Sequence, residues 1–535
     1  MTTTTSGTLR TYGLPLAMIV IGGLAIRYVH FSLTLGSDDQ VWVTVAREIA
    51  SGAPRTDEPV YYTRLVWTWL LVLWGYLGSI SLEWSAVLMF ALSGLTMAFI
   101  AEATRASFSA RAALLAALVY AAHPIAIAYD TATLPDGLAV CLLAATTWCF
   151  MRYLRAPRAA RLIVPGLLIG LVFGVKNYFM LASIPCALTI FVSTKDWKLR
   201  INHIGTLAGA SIVGLGFALL LGVAARIDAS SHVASFGNYA LYISQSPVSA
   251  PDQGIRQLIM LCAERTEALV TLFFGFGALM GCLTLFGAAN SLCESRREPA
   301  HLFVASMALL FLLFLMFMPV RLSPLTFTQL HERYLTVLLP ALALSAGVAM
   351  ANLWATLGNR ALRIAAAGAL IAIVGYSVWV PNGMHDAYGR LELRGLAQIV
   401  TAAPKRGTTQ LLLPAYLRRL VPSSYREHGA HLRFADLASP AGATAALDAI
   451  AADHSTAIVV FRTPYRAIKE KLRTGDYGDN MAYGAFAALM HEAHARRYSV
   501  EEVRVPYDTA RVWLARIGLS TRGQLVGWVV RKPSQ

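Results

Sequence analysis

The sequence predicts an all-α polytopic membrane bundle followed by a soluble α/β domain. Three observations predict it. Of 535 residues, 56% are hydrophobic and 14% charged, whereas a soluble domain carries about 25% charged residues. Apolar windows of about 20 residues, long enough to cross a hydrocarbon core, recur about eleven times before residue 381. From Asn382 onward charged residues return and the apolar runs shorten. The net charge of +15 is scattered between the apolar spans. That pattern fits inner loops and anionic headgroups, and argues against a nucleic-acid-binding face. The six cysteines all lie in or beside apolar segments, with neither a disulfide framework nor zinc-ligand spacing.

Spans are expected near Tyr12–Leu35, Trp84–Ala103, Ala112–Tyr129, Leu134–Leu154, Leu162–Val175, Tyr178–Val192, Ile204–Ala224, Ala268–Ala289, His301–Val320, Tyr334–Trp354 and Leu362–Val380. Leu65–Leu82 is apolar too, but its Trp-rich, Gly-broken run suits a helix lying at the interface. With the N-terminus inside, the short loops carrying Arg105 and Arg111, Arg152 to Arg161, Lys195 to Arg200, Arg296 and Arg297, and Arg360 and Arg363 are all inner. That is the positive-inside pattern. It requires Leu162–Val192 to be two short spans around an outer break at Lys176-Asn177. The expected division is a membrane module over 1–381, with an external loop and interface helices at 36–83, and a periplasmic α/β domain over 382–535. In the latter, TTQLLLPA, TAIVVFR and QLVGWVVR read as strands, and AGATAALDAIAAD, YRAIKEKLRT and FAALMHEAHARRY as helices.

Several polar residues fall at the outer ends of the spans. Asp38 and Asp39 are adjacent carboxylates opening a helix just after the first span, with Ser37 as a possible N-cap. Acids suit a helix N-terminus, but charge beside a span is costly and usually functional. Asp38 is the candidate general base and Asp39 an orienting partner, sugar contact or metal ligand. Pro135-Asp136 begins a helix, which is ordinary helix-start chemistry, yet Asp136 and Asp130 share the outer rim with Asp38. Arg64 and Lys176 either snorkel to headgroups or bind phosphate. Tyr61 is equally an interfacial residue or a sugar contact. His331 and Arg333 open a helix at its positive end, where cations are misplaced unless an anion sits there.

These stretches resemble a known superfamily. The paired acids leading into VTVAREIASG, the Pro-containing EPVYYTRLVWTW, HPIAIAYDTATLPDG, GVKNYF and HERYLTVLLP together resemble the GT-C-fold glycosyltransferases, in the protein O-mannosyltransferase and aminoarabinose-transferase-like group. The resemblance spans roughly Tyr12–Val380. It implies a GT-C bundle that moves a sugar from a polyprenyl-phosphate donor to a cell-envelope acceptor (lipid, polysaccharide or protein) at the periplasmic face of the inner membrane. It places Asp38 at the family's catalytic acid. Relatives of the aminoarabinose transferase carry a phosphate-contacting Lys where this chain has Glu58, a departure for which Arg64 is the expected substitute. Some GT-C enzymes use a divalent cation (Mg or Mn), for which Asp38, Asp39 and Asp136 are the available ligands. The competing readings are a transporter or lipid flippase, which predicts internal repeats and mid-membrane charges, and a scaffold whose external domain binds envelope glycans.

Overall fold

Caps set where the long helices start. Ser81 accepts the Trp84 amide at 3.2 Å, Ser109 accepts that of Ala112 at 3.1 Å, and Asp196 accepts those of Lys198 and Leu199. Each side chain thereby satisfies a backbone donor that apolar surroundings would leave costly. The computed structural model describes residues 9–30, 39–52, 64–130, 132–225, 278–317, 319–322, 325–327, 332–379, 407–414, 431–435, 440–461, 489–505 and 524–532, with isolated residues between them.

The helices are α1 (Leu14–Val29), α2 (Asp39–Ala50), α3 (Leu65–Gly75), α4 (Leu82–Ser107), α5 (Ala110–Ala122), α6 (Pro124–Tyr129) and α7 (Pro135–Arg155). They continue as α8 (Ile163–Phe173), α9 (Ser183–Ser193), α10 (Trp197–Ala224), α11 (Ala278–Glu294), α12 (Pro299–Phe317), α13 (Leu339–Thr356) and α14 (Arg360–Trp379). Among the described residues, seven helical segments are long and apolar enough to cross a membrane; shorter apolar helices lie at Leu65–Gly75, Ala110–Ala122, Ala159–Phe173, Asn177–Ser193 and Leu279–Glu294. Several buried hydroxyls are satisfied within their own helices: Thr96 donates to Leu92 O, Thr104 to Ile100 O, and Thr147 to Leu143 O. The bundle centre is α4, α5, α7 and α13, whose inner faces are lined by small residues such as Ala113, Ala116, Ala117, Ala144 and Ala346.

Two expectations are corrected. The span expected over Ala112–Tyr129 is two helices, α5 and α6. Pro124 cannot continue the hydrogen-bond ladder, and the His123 ring accepts the Ile125 amide at 3.3 Å to start α6 afresh. The connection before α13 carries a short antiparallel hairpin, β1 (Pro319–Leu322) with β2 (Leu325–Phe327), where no strand was expected. The break at Lys176-Asn177 is present: α8 ends at Gly174, a 3₁₀ segment covers Asn177–Ala182, and α9 follows.

Residues 32–41 and 382–535 make up the second compact unit, which holds a five-stranded sheet ordered β4-β3-β5-β7-β6. Its strands are β3 (Gln410–Pro414), β4 (His431–Ala435), β5 (Thr456–Phe461), β6 (Ser499–Val505) and β7 (Gln524–Arg531), with α15 (Pro440–Ala452) between β4 and β5. β3 runs parallel to β4 and β5, while β7 is antiparallel to β5 and β6. Leu411, Leu413, Ala457 and Val459 face one core, and Leu412, Ile458 and Val460 the other with Leu447 and Ile450 of α15. A sheet buried on both faces reads as a continuous apolar run, as LLL and AIVV do. The mixed strands HLRFA and SVEEVRV are additions to the three expected ones.

Candidate active site at the Lys176 break

Where α8 stops, the chain turns back between two neighbours. The Gly174 carbonyl accepts the Val66 amide at 3.1 Å, and a β-carbon on Gly174 would lie 2.6 Å from Val66 Cγ2 and 2.9 Å from Ala218 Cβ. Only glycine permits that approach, which brings Arg64, the N-cap of α3, beside the break. Lys176 follows two residues later and is 5% exposed. Its ammonium is hydrogen-bonded to the carboxylate of Asp136, which is 2% exposed in the first turn of α7. The Nζ also lies 4.9 Å from the centroid of Tyr334 and 5.3 Å from that of Tyr178.

A buried ammonium needs such partners: the carboxylate offsets lost hydration and the ring faces add cation–π attraction. Tyr178 is itself stacked on Phe314 at 5.2 Å, which fixes that wall. Arg333, in the 3₁₀ segment Glu332–Leu338 that leads into α13, carries its guanidinium 5.7 Å from the Tyr334 ring. Arg333 and Arg64 are both close enough to act electrostatically on Lys176. Lys176 and Arg333 thus share the Tyr334 ring, and Arg64 lies within electrostatic reach. Forked guanidiniums and an ammonium form the donor set that binds a phosphate.

A second buried pair lies nearby in sequence. Arg27, on the last turn of α1 and fully buried, donates from Nε and Nη2 to Asp130 Oδ2 at 3.1 and 2.9 Å. Its remaining donors reach the carbonyls of Ala121 at 2.9 Å, Gly23 at 3.2 Å and Tyr120 at 3.4 Å. Ser93 Oγ donates to Asp130 Oδ2 at 2.8 Å and the Tyr120 hydroxyl to Oδ1 at 3.0 Å.

Of the site residues expected from sequence, Lys176, Asp136, Arg333 and Arg64 are brought together. Asp38, Tyr61 and His331 lie outside the described residues; Asp39 begins α2, but its side chain is also outside them. Asp136 and Asp130, expected to share a rim, are each claimed by a separate cation. Sequence reasoning missed Arg27, Ser93 and Tyr120. The one available signal was an arginine near the end of an apolar span, four residues after Gly23.

The helical bundle with its small C-terminal sheet is a membrane protein of the GT-C fold, the fold of membrane glycosyltransferases. Residues 57–220, less than half of the chain but including Arg64, Asp136 and Lys176, match the family described as dolichyl-phosphate-mannose-protein mannosyltransferase. ArnT from Cupriavidus metallidurans, solved bound to undecaprenyl phosphate, superposes with a TM-score of 0.50 at 15% identity, covering 97% of this chain and 99% of that one. The apo oligosaccharyltransferase of Archaeoglobus fulgidus gives 0.49 at 12% identity, over 78% of this chain and 64% of that one. AglB of the same organism, solved with an inhibitory peptide and a dolichol-phosphate, gives 0.45 at 14%, over 79% and 65%. This chain thus spans under two thirds of the archaeal enzymes' length. No curated protein matches by sequence.

Proposed function

We propose that the protein is an inverting glycosyltransferase of the inner membrane, working at its periplasmic face with a polyprenyl-phosphate-linked sugar. The observation that carries this reading is the buried Lys176–Asp136 pair between two tyrosine rings, with Arg333 and Arg64 in electrostatic reach. Such a cluster suits the phosphate of a lipid-borne donor, and its Arg64, Asp136, Lys176 and Tyr178 lie in the part of the chain that matches the mannosyltransferase family. The same-fold relative that binds undecaprenyl phosphate supports the same donor class.

In this reading the acceptor hydroxyl (lipid, polysaccharide or protein) attacks the anomeric carbon as the bond from that carbon to the phosphate oxygen breaks. Asp38 takes the hydroxyl proton, with Asp39 orienting it. Lys176, Arg333 and Arg64 stabilise the charge left on the polyprenyl phosphate. His331 and Tyr61 complete the donor pocket, and Asp136 is the counter-ion of Lys176. Paired with Lys176, Asp136 is thereby a poor fit as a ligand for Mg or Mn. The C-terminal α/β unit is periplasmic.

Mass spectrometry of envelope glycans from a deletion strain, complemented with wild type or Asp38→Asn, tests this. The wild type restores a sugar modification, and Asp38→Asn, inserted at equal level, restores it at a rate lower by about 10²–10⁴-fold. Unimpaired transfer by Asp38→Asn overturns the mechanism. An unchanged glycan profile together with altered lipid-carrier sidedness favours the flippase alternative.

A further inference from the structure

Arg27 and Asp130 lie outside the phosphate cluster, and the proposed chemistry leaves them unused. A buried ion pair is a poor source of stability, because desolvation offsets most of its attraction. Charges inside a membrane bundle are correspondingly rare and usually tied to function. This pair is also unusually complete. It joins α1 to α4 through Ser93, to α5 through the Tyr120 hydroxyl and the Ala121 carbonyl, and to the corner between α6 and α7 through Asp130 itself.

The described residues of that corner are tied by backbone hydrogen bonds. Asp130 N donates to Ala126 O at 2.9 Å, Ala132 N to Tyr129 O at 3.2 Å, and Leu134 N to Ala132 O at 2.7 Å. Pro135 then starts α7, with Asp136 next. Glycines let α1 and α7 lie close against methionine side chains of α4. A β-carbon on Gly23, one turn before Arg27, would lie 2.7 Å from Met97 Sδ, and one on Gly137 would overlap Met89 Cε of the same α4. A displacement of Asp130 therefore carries through to Asp136, and from Asp136 to the ammonium of Lys176.

We propose that Arg27 and Asp130 are positioning residues: their clasp fixes the first turn of α7 so that Asp136 presents Lys176 to the donor phosphate. This rests on the phosphate-site reading above. The test is binding of undecaprenyl phosphate to the full chain in nanodiscs, alongside thermal melting. Ser93→Ala and Tyr120→Phe each remove one bond to Asp130 while keeping the ion pair, and are expected to weaken binding severalfold with the melting temperature little changed. Arg27→Met/Asp130→Leu replaces the pair by apolar groups of similar size, which a membrane bundle accommodates. It is expected to melt near wild type yet bind about tenfold or more weakly, since small misplacements at a site are costly. Wild-type affinity in the well-folded double variant, or in both mild variants, overturns the proposal and leaves the clasp a purely architectural contact. Lys176→Met separates the two claims: wild-type binding by that variant removes the phosphate site itself, whatever the clasp variants do.

Discussion

Arg27–Asp130 and Lys176–Asp136 are both carboxylate–cation pairs withdrawn from solvent, and their carboxylates are six residues apart, yet their surroundings differ in kind. Around Arg27 the guanidinium meets three backbone carbonyls as well as the carboxylate, and both carboxylate oxygens accept further bonds from hydroxyls. Around Lys176 the neighbours are two tyrosine faces and two more cations. The first arrangement is saturated and has no use for a ligand. The second sets one carboxylate among several cations, which suits an anionic ligand. In the proposed reading, buried charge serves rigidity in one place and recognition in the other, and what surrounds the pair, rather than the pair itself, tells them apart.

The sharpest way to break this contrast is to remove one partner from each pair. Asp130→Leu leaves Arg27 charged and buried, and is expected to cost about 3–5 kcal/mol of stability. Undecaprenyl phosphate, bound more weakly at a displaced Lys176 site, should recover only what mass action at that site supplies, because nothing at Arg27 itself admits it. Asp136→Asn also leaves a buried cation, but here the lipid phosphate can replace the carboxylate. Saturating undecaprenyl phosphate, at roughly 100 times its dissociation constant, should then return about 2.7 kcal/mol. Melting temperatures of the two variants with and without the lipid decide the matter, and equal responses would erase the distinction. A smaller effect sharpens it. Tyr334→Leu removes a ring face from Lys176, a contact worth about 0.5–2 kcal/mol, so lipid affinity should fall by roughly two- to thirtyfold. The same measurement on Tyr120→Leu should mix a stability loss into any change in affinity.

The recognition region was more legible in the sequence than the rigid one. A lysine next to an asparagine inside a long apolar stretch, Pro135-Asp136 at a helix start and the Arg333-Tyr334 entry each stand out locally. Their common rim followed from counting spans. The clasp was not legible, because Arg27 lies inside an apolar span and its partner is 103 residues away in sequence. No local pattern links them. The break at His123-Pro124 was missed because the flanking residues are uniformly apolar, so hydropathy ran through it while proline chemistry did not. In the C-terminal unit, β3, β5 and β7 were visible because strands covered on both faces are continuously apolar. β4 and β6 were not: they are the edge strands, where half the residues face water and the sequence reads as polar.

In the proposed reading, Lys176 is the centre of a lipid-phosphate site. Its most direct test is the affinity of the full chain for undecaprenyl phosphate, measured in nanodiscs for wild type and Lys176→Met at matched folding. Loss of one charge-assisted contact of about 1.5–3 kcal/mol should weaken binding by roughly ten- to a hundredfold. Equal affinities for the two proteins would contradict it.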